Sequence, residues 1–157
     1  MQLNIFRTGR IAFSGLKATR GWMNIIANNL ANVQTLDTGK QGKDGNYVPY
    51  TRQVPIFAKV LSEKFQSNRA NGDVINGVAL KDIAQLKGSV KKVFDPSHPA
   101  ARRSGTNDAG YVYYPDISIA QELADMKIAA AAYEANVTVL STVNKMTENA
   151  LRIGRRI

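Results

Sequence analysis

The sequence predicts a mainly α fold, in which long N- and C-terminal helices with heptad patterning form a coiled coil or bundle around a small strand-and-loop insert. Three observations carry this. Apolar residues near both ends recur at alternating spacings of four and three. Glycine, proline and Asx-Gly pairs crowd the middle. The 157 residues are 44% apolar, enough for one core in a chain of this length.

The N-terminal ladder consists of Ala12, Leu16, Thr19, Met23, Ile26, Leu30 and Val33. On an α-helix this spacing draws one continuous stripe. From position 12 to 33 it spans roughly 33 Å at 1.5 Å per residue. Gly15 and Gly21 interrupt it, each costing up to about 1 kcal/mol relative to alanine. Packing repays that cost where an absent side chain lets a partner approach closely.

The C-terminal ladder is longer: Ile119, Leu123, Met126, Ala130, Tyr133, Val137, Leu140, Asn144, Thr147 and Leu151. A second row holds Val139, Val143, Met146, Ala150 and Ile153, so the apolar face is wide enough for more than one neighbour. Ser118 and Gln121 suit a capping box just after Pro115, and Gly154 suits a stop. A helix of this length points to a bundle or coiled coil.

The stretch 34–114 obeys other rules. Asp44-Gly45, Asn71-Gly72 and Asn76-Gly77 signal turns, and Asp37 and Asp44 suit local backbone roles. Val54, Ile56, Ala58 and Val60 alternate as in a half-buried strand, which Pro55 assigns to a sheet edge. Further short strands are predicted at 78–80, 90–94 and 110–114, and 102–108 reads as an exposed loop. On the last strand Tyr111 and Tyr113 share a face that packs on the helices, while Tyr114 points away. Trp22, beside the N-terminal ladder, reads as a packing or interface anchor. The organisation is therefore 1–36 with 116–157 as a helical assembly domain, and 37–115 as a central strand-and-loop module. Two long helices and a thin insert bury little surface as a monomer, and the second row on the C-terminal helix is left over, so the pattern favours self-association.

Composition narrows the chemistry. The chain has no cysteine and one histidine, His98, which reads as a turn residue between Ser97 and Pro99. No zinc or calcium spacing accompanies it, so no catalytic residue, metal ligand, cofactor or small-molecule substrate is expected. Glu122 and Asp125 are three apart; an acidic pair can support hydrolysis, but that spacing equally places two acids on one solvated helix face, and no motif surrounds either. No cleavable signal peptide is expected, because Ser14, Lys17 and Arg20 break the stretch 11–20. The longest apolar run, 128–133, is too short to span a bilayer. Formal net charge is +9, from 21 Lys and Arg against 12 Asp and Glu. The cations are spread along the chain without a nucleic-acid-binding signature, so they read as a solvated or partner-facing surface, and nucleic acid is not expected as a partner.

The run Ala27-Asn28-Asn29-Leu30-Ala31-Asn32, followed by Thr35, places three amides where a helix ends. Amides cap backbone groups and hold register between helices. This run resembles the N-terminal signature of the bacterial flagellar axial proteins: rod, hook and hook-associated subunits. The stretch Ala132-Tyr133-Glu134-Ala135-Asn136-Val137, with Leu140 and Asn144, is similar to their C-terminal signature. Tyr50-Thr51-Arg52-Gln53, Val93-Phe94-Asp95-Pro96-Ser97-His98-Pro99 and Gly110-Tyr111-Val112-Tyr113-Tyr114-Pro115 look like the small proximal-rod members of that family. The chain departs from them at Lys87-Gly88, at Ala131-Ala132 and in the basic 102–109 stretch.

The resemblance implies a non-enzymatic structural subunit of the basal-body rod crossing the periplasm. It would be exported unfolded through the flagellar type III apparatus and assembled helically with itself and other rod subunits, transmitting torque and enclosing the export channel. The candidate assembly contacts it implies are Leu16, Met23, Ile26, Asn28, Asn29, Leu30 and Asn32 on the first helix. On the second they are Met126, Tyr133, Asn136, Val137, Leu140 and Asn144. Two alternatives stay open: another axial subunit of rod or hook type, which the 94–99 stretch argues against, and a basic nucleic-acid-binding helical protein, which salt-dependent DNA binding would reveal.

Overall fold

The computed structural model describes residues 2–40, 42, 46–61, 76–86, 90–102 and 108–154. Helix α1 runs over Gln2–Ala31 and helix α2 over Ile119–Gly154. Between them lie β1 (Gln53–Leu61), β2 (Asn76–Gln85), β3 (Val90–Phe94) and β4 (Tyr111–Pro115). β1 pairs with β2 and β3 with β4, as two separate two-stranded sheets. The fold is mainly α, with a helix at each end and a small β insert.

α1 starts ten residues before the first rung of its ladder. Phe6 and Ile11 are exposed, so the described side chains ahead of Ala12 offer no buried apolar stripe to extend the periodicity. α2 begins as expected: the Ser118 hydroxyl accepts the Gln121 N–H at 3.4 Å, and its carbonyl accepts the Glu122 N–H at 3.0 Å. Gly154 is the last described residue, and it is still helical.

The phase of the packed stripe differs from the apolar ladder. On α2, Glu122 and Ala129 are buried and Asn136 and Val143 half-buried, four residues spaced seven apart. Their neighbours Leu123, Val137 and Asn144 are exposed. The shared rungs Met126, Tyr133, Leu140 and Thr147 are half-buried. On α1, Gly15 and Asn29 are buried, one residue before Leu16 and Leu30, which are half-buried. In both helices the alternate rungs are therefore rotated by one residue, towards small and polar side chains. A leucine outranks a glycine or an asparagine in hydropathy, but close helix approach and hydrogen bonding reverse that order.

The chain divides into two compact units. One holds Met1–Met23, Pro55–Asp82 and Met126–Ile157; the other holds Asn24–Val54 and Ile83–Asp125. In the first unit small residues set the packing. A Cβ on Gly15 would sit 2.8 Å from Asn136 Oδ1, and one on Gly9 would sit 3.4 Å from Val143 Cγ1. Ala12, Ala18 and Ala129 are buried. Gly21 faces a strand rather than a helix, with Leu80 Cδ2 3.1 Å from its Cβ position. Asn76-Gly77 opens β2 instead of forming a turn. The Ser14 hydroxyl lies 2.8 Å from where a Gly77 Cβ would be, accepts the Val78 N–H at 3.1 Å, and donates to the Ile11 carbonyl at 2.7 Å. Trp22 anchors edge-on against Phe57 of β1, centroids 6.0 Å apart.

The second unit is built on Ile25, Ile26, Val112, Tyr113 and Ile117, all buried. β3 and β4 run antiparallel with Lys92 opposite Tyr113 and Phe94 opposite Tyr111. The Phe94 and Tyr111 rings meet edge-on at 5.1 Å. Tyr113 is covered by cations: the Arg102 guanidinium stacks 3.8 Å from its ring centroid and the Lys92 ammonium lies at 5.2 Å. Arg102 is thus no free loop residue. Its N–H donates to the Tyr111 carbonyl, and its carbonyl accepts the Gly110 N–H, both at 3.0 Å. Gly110 takes φ = +81°, a conformation that disfavours any side chain. The Asp44-Gly45 and Asn71-Gly72 turns, Lys87-Gly88 and Arg103 lie outside the described residues.

Candidate functional site

The three asparagines at the end of α1 do three different things. Asn28 is exposed, and its carbonyl accepts both the backbone N–H and the side-chain amide of Asn32, at 3.1 and 2.9 Å. Asn32 thereby closes the helix, and its Oδ1 takes the Thr35 hydroxyl at 3.1 Å to turn the chain out. Asn29 points inward and is 1% exposed.

Asn29 is satisfied at every position. Its Oδ1 accepts the Gln53 N–H at 2.9 Å and the Tyr50 hydroxyl at 3.1 Å. Its Nδ2 donates to the Gln53 carbonyl at 2.8 Å and to Glu122 Oε2 at 3.2 Å. A side-chain amide offers the same donor and acceptor pair as a peptide unit, so Asn29 docks on both backbone groups of Gln53 as a strand neighbour would. Glu122 is also 1% exposed, and its Oε1 receives Arg52 Nε at 2.7 Å. Arg52 further reaches Asp125 at 3.7 Å, and its carbonyl accepts the Leu86 N–H at 3.0 Å. Burial, and then the Glu122 charge, raise the Tyr50 hydroxyl pKa and keep it a donor. Glu122 and Asp125 therefore do not form a solvated acidic face. They hold an arginine, and a carboxylate pair occupied in this way is structural.

His98 is a turn residue: its Nδ1 accepts the Ala100 N–H at 3.0 Å, and its carbonyl accepts the Ala101 N–H at 2.9 Å. Asp37 plays the expected local role, accepting the Gly39 N–H at 2.7 Å. Among the described residues no group of His, Cys, Asp or Glu is arranged to hold a metal ion, and no helix is long and apolar enough to cross a membrane.

The residues singled out from the sequence are not gathered at one point. Ile26 and Asn29 are buried; Leu16, Met23, Leu30, Asn32, Met126, Tyr133, Asn136 and Leu140 are half-buried; Asn28, Val137 and Asn144 are exposed. Asn136 sits against Gly15 and returns its Nδ2 to the Ala132 carbonyl at 2.8 Å. Leu140 and Asn144 join Phe6, Arg10 and Phe13 around one groove of 420 Å³. Outward-facing apolar side chains continue along α2 at Ile119, Leu123, Ile128, Val139, Met146, Leu151 and Ile153. The sequence pattern assigns no role to Arg52, Phe6 or Phe13, and places the buried Glu122 on a solvated face. For Arg52 the available signal was a lone cation before a strand, in a segment noticed only for its likeness to known proteins.

Two helices that spend amides and glycines on their joint, and leave long apolar rows outside it, suit a subunit completed by neighbours. Known proteins agree. Residues 10–35 match the family described as flagella basal body rod protein, and residues 108–153 match the flagellar basal body rod FlgEFG protein C-terminal family. The flagellar basal-body rod protein FlgC of Borreliella burgdorferi is 34% identical over 96% of this chain and 98% of its own length. The FlgC proteins of Escherichia coli O6:H1 and Bacillus subtilis are 33% and 29% identical, each over 98% of this chain. At 34% and 33% identity over nearly its whole length, the chain belongs to the FlgC family of flagellar basal-body rod proteins.

Proposed function

We propose that this chain is a structural subunit of the proximal rod of the flagellar basal body, assembling helically with itself and other rod subunits. Family membership makes it a rod component with a mechanical role. The finer reading adds that the rod it helps build crosses the periplasm, transmits torque and encloses the export channel. The subunit itself reaches the rod unfolded, through the flagellar type III apparatus. In this reading 1–36 with 116–157 form the coiled-coil assembly part, and 37–115 is a module facing away from the tube.

The observation that carries the proposal is the unpartnered apolar surface on α2. Val137, Val139, Met146, Leu151 and Ile153 are all exposed on a helix whose packed stripe is already filled. Exposed apolar rows of that extent mark association surfaces. A heterologous contact repeated along a helix extends a rod, whereas a closed ring would stop growth. Within each unit the helices keep the alternating four and three spacing that supports a coiled-coil joint, in the rotated phase described above.

The test is Val137→Asp, with purified basal bodies probed for the chain and swimming scored in parallel. The expected outcome is normal export, failed incorporation and loss of motility, because a carboxylate is desolvated without a partner at each repeated contact. Normal incorporation with normal swimming removes Val137 from the assembly contacts. Absence of the unsubstituted chain from basal bodies overturns the proposal as a whole.

A further inference from the structure

Helix α1 contains four cations, Arg7, Arg10, Lys17 and Arg20, and not one acid. Phe6, Arg10, Phe13, Lys17 and Arg20 follow one another at spacings of four, three, four and three, so they lie on one stripe. All five are exposed, and the two rings are 62% and 64% exposed. Among the described residues Arg10, Lys17 and Arg20 have no ion-pair partner. The upper end of the stripe borders a groove of 420 Å³, where Phe6, Gly9, Arg10 and Phe13 of α1 face Leu140 and Val143 of α2.

A row that alternates rings with cations is neither a core face nor an ordinary solvated face. Two bare phenylalanines one heptad apart lose water only when something covers them. The groove between two helices accepts the ridge of a third helix, which a flat lipid surface cannot supply. The cations fix the sign of whatever lies over them: it is acidic. A second copy of this chain does not provide that. The outward charges of α2 from Met126 onward are Lys127, Lys145 and Arg152 against Glu134 and Glu148, and the whole chain stands at +9. Stacking like on like here opposes association.

We infer that the Phe6–Arg20 stripe of α1 is a docking face for an acidic amphipathic helix of a different rod subunit. Apolar side chains of that helix enter the groove beside Phe6 and Phe13, and its carboxylates meet Arg10, Lys17 and Arg20. This rests on the rod reading and deepens it: the contact is heterotypic, and charge selects the neighbour while the rings anchor it.

The experiment replaces Phe13 by p-benzoylphenylalanine in the full-length chain in flagellated cells. Basal bodies are purified and irradiated, and the cross-linked peptide is identified by mass spectrometry. The expected adduct is on a helical segment of a different rod subunit with net negative charge. An adduct on a second copy of this chain, on lipid or on a basic segment overturns the inference while leaving the rod reading intact. So does the absence of any adduct from a chain that has been incorporated. Absence of the unsubstituted chain from basal bodies overturns both. A second arm compares Arg10→Glu/Lys17→Glu/Arg20→Glu with the corresponding triple Gln variant, substitutions that keep helix propensity at exposed positions. The Glu triple should lower incorporation by about tenfold or more, with the Gln triple falling between it and the unsubstituted chain. Equal incorporation of all three overturns the inference.

Discussion

Up to Met23, helix α1 meets its neighbours through what it lacks; from Asn24 onward it meets them through what an amide supplies. In the first unit, Gly9 and Gly15 remove side chains so that Val143 and Asn136 can come close, and Gly77 does the same for Ser14. In the second unit a buried Asn29, Glu122 and Arg52 form a polar knot in which every capacity of the asparagine is used. Contact between small residues tolerates sliding by a fraction of a turn. A four-bond amide does not, because each displaced donor or acceptor is left dry. The knot therefore sets the register of the end of α1 against the segment before β1 and the start of α2, and the glycine contacts admit the rest.

The comparison breaks most readily at Arg52. Arg52→Met leaves the buried Glu122 carboxylate without its cation and should cost about 3–5 kcal/mol. Adding Glu122→Leu should return much of that loss, since the stranded charge is then gone. Urea unfolding followed by circular dichroism reads both. A loss below about 1 kcal/mol for the single variant would mean that the knot does not hold the second unit together.

Asn29→Ala should cost somewhat less, about 2–3 kcal/mol, because water reaches some of the groups it abandons. It should also separate the two regions by hydrogen exchange. The Gln53 amide, which donates to Asn29, should exchange faster, while the Val78 amide, held by Ser14, should stay protected. Equal acceleration at both would show that the units are not independently stabilised.

In the first unit, Gly15→Val should destabilise by about 1–2 kcal/mol, since its Cβ meets the hydrogen-bonded Asn136 amide. Gly15→Ala combined with Asn136→Ala should recover up to about 1 kcal/mol through helix propensity. If the two substitutions act additively in thermal melts, the close approach is not the reason for the glycine.

The smallest effect concerns pH. The Tyr113 hydroxyl, and then Lys92, hold the half-buried Asp108 carboxyl below its usual range, so its folded value lies under its unfolded one. The stability it lends β3 and β4 is complete above about pH 4 and fades as pH falls through the lowered folded value. Asp108→Asn should abolish that dependence in an acid titration of the Tyr113 resonance. Trp22, in the other unit, should not follow it.

Much of the architecture is legible from residue order alone. β3 occupies 90–94 as read, β1 extends the alternation of 54–60 by one residue at each end, and α2 starts just after its Ser118 cap. β2 runs well past the short strand at 78–80, because Asn76-Gly77 is also the strongest turn signal nearby. Only Ser14, arriving from α1, shows that Gly77 is there for space. Arg102 reads as solvated because arginine usually is; stacking on Tyr113 is a contact with a residue eleven positions away.

By itself the sequence determines two long helices, the start of α2, a thin β insert, the rungs Ala12, Thr19, Ile26, Met126, Tyr133 and Leu140, and, through its motifs, the family. Those follow from local capping, from periodicity and from side chains whose burial hydropathy predicts. The rungs between them were decided only in three dimensions. Asn29 and Glu122 are inside because Gln53, Tyr50 and Arg52 complete their hydrogen bonds, and Gly15 is inside because Asn136 needs its space. No hydropathy value contains that information, since a polar group favours water until a partner from elsewhere in the chain satisfies it.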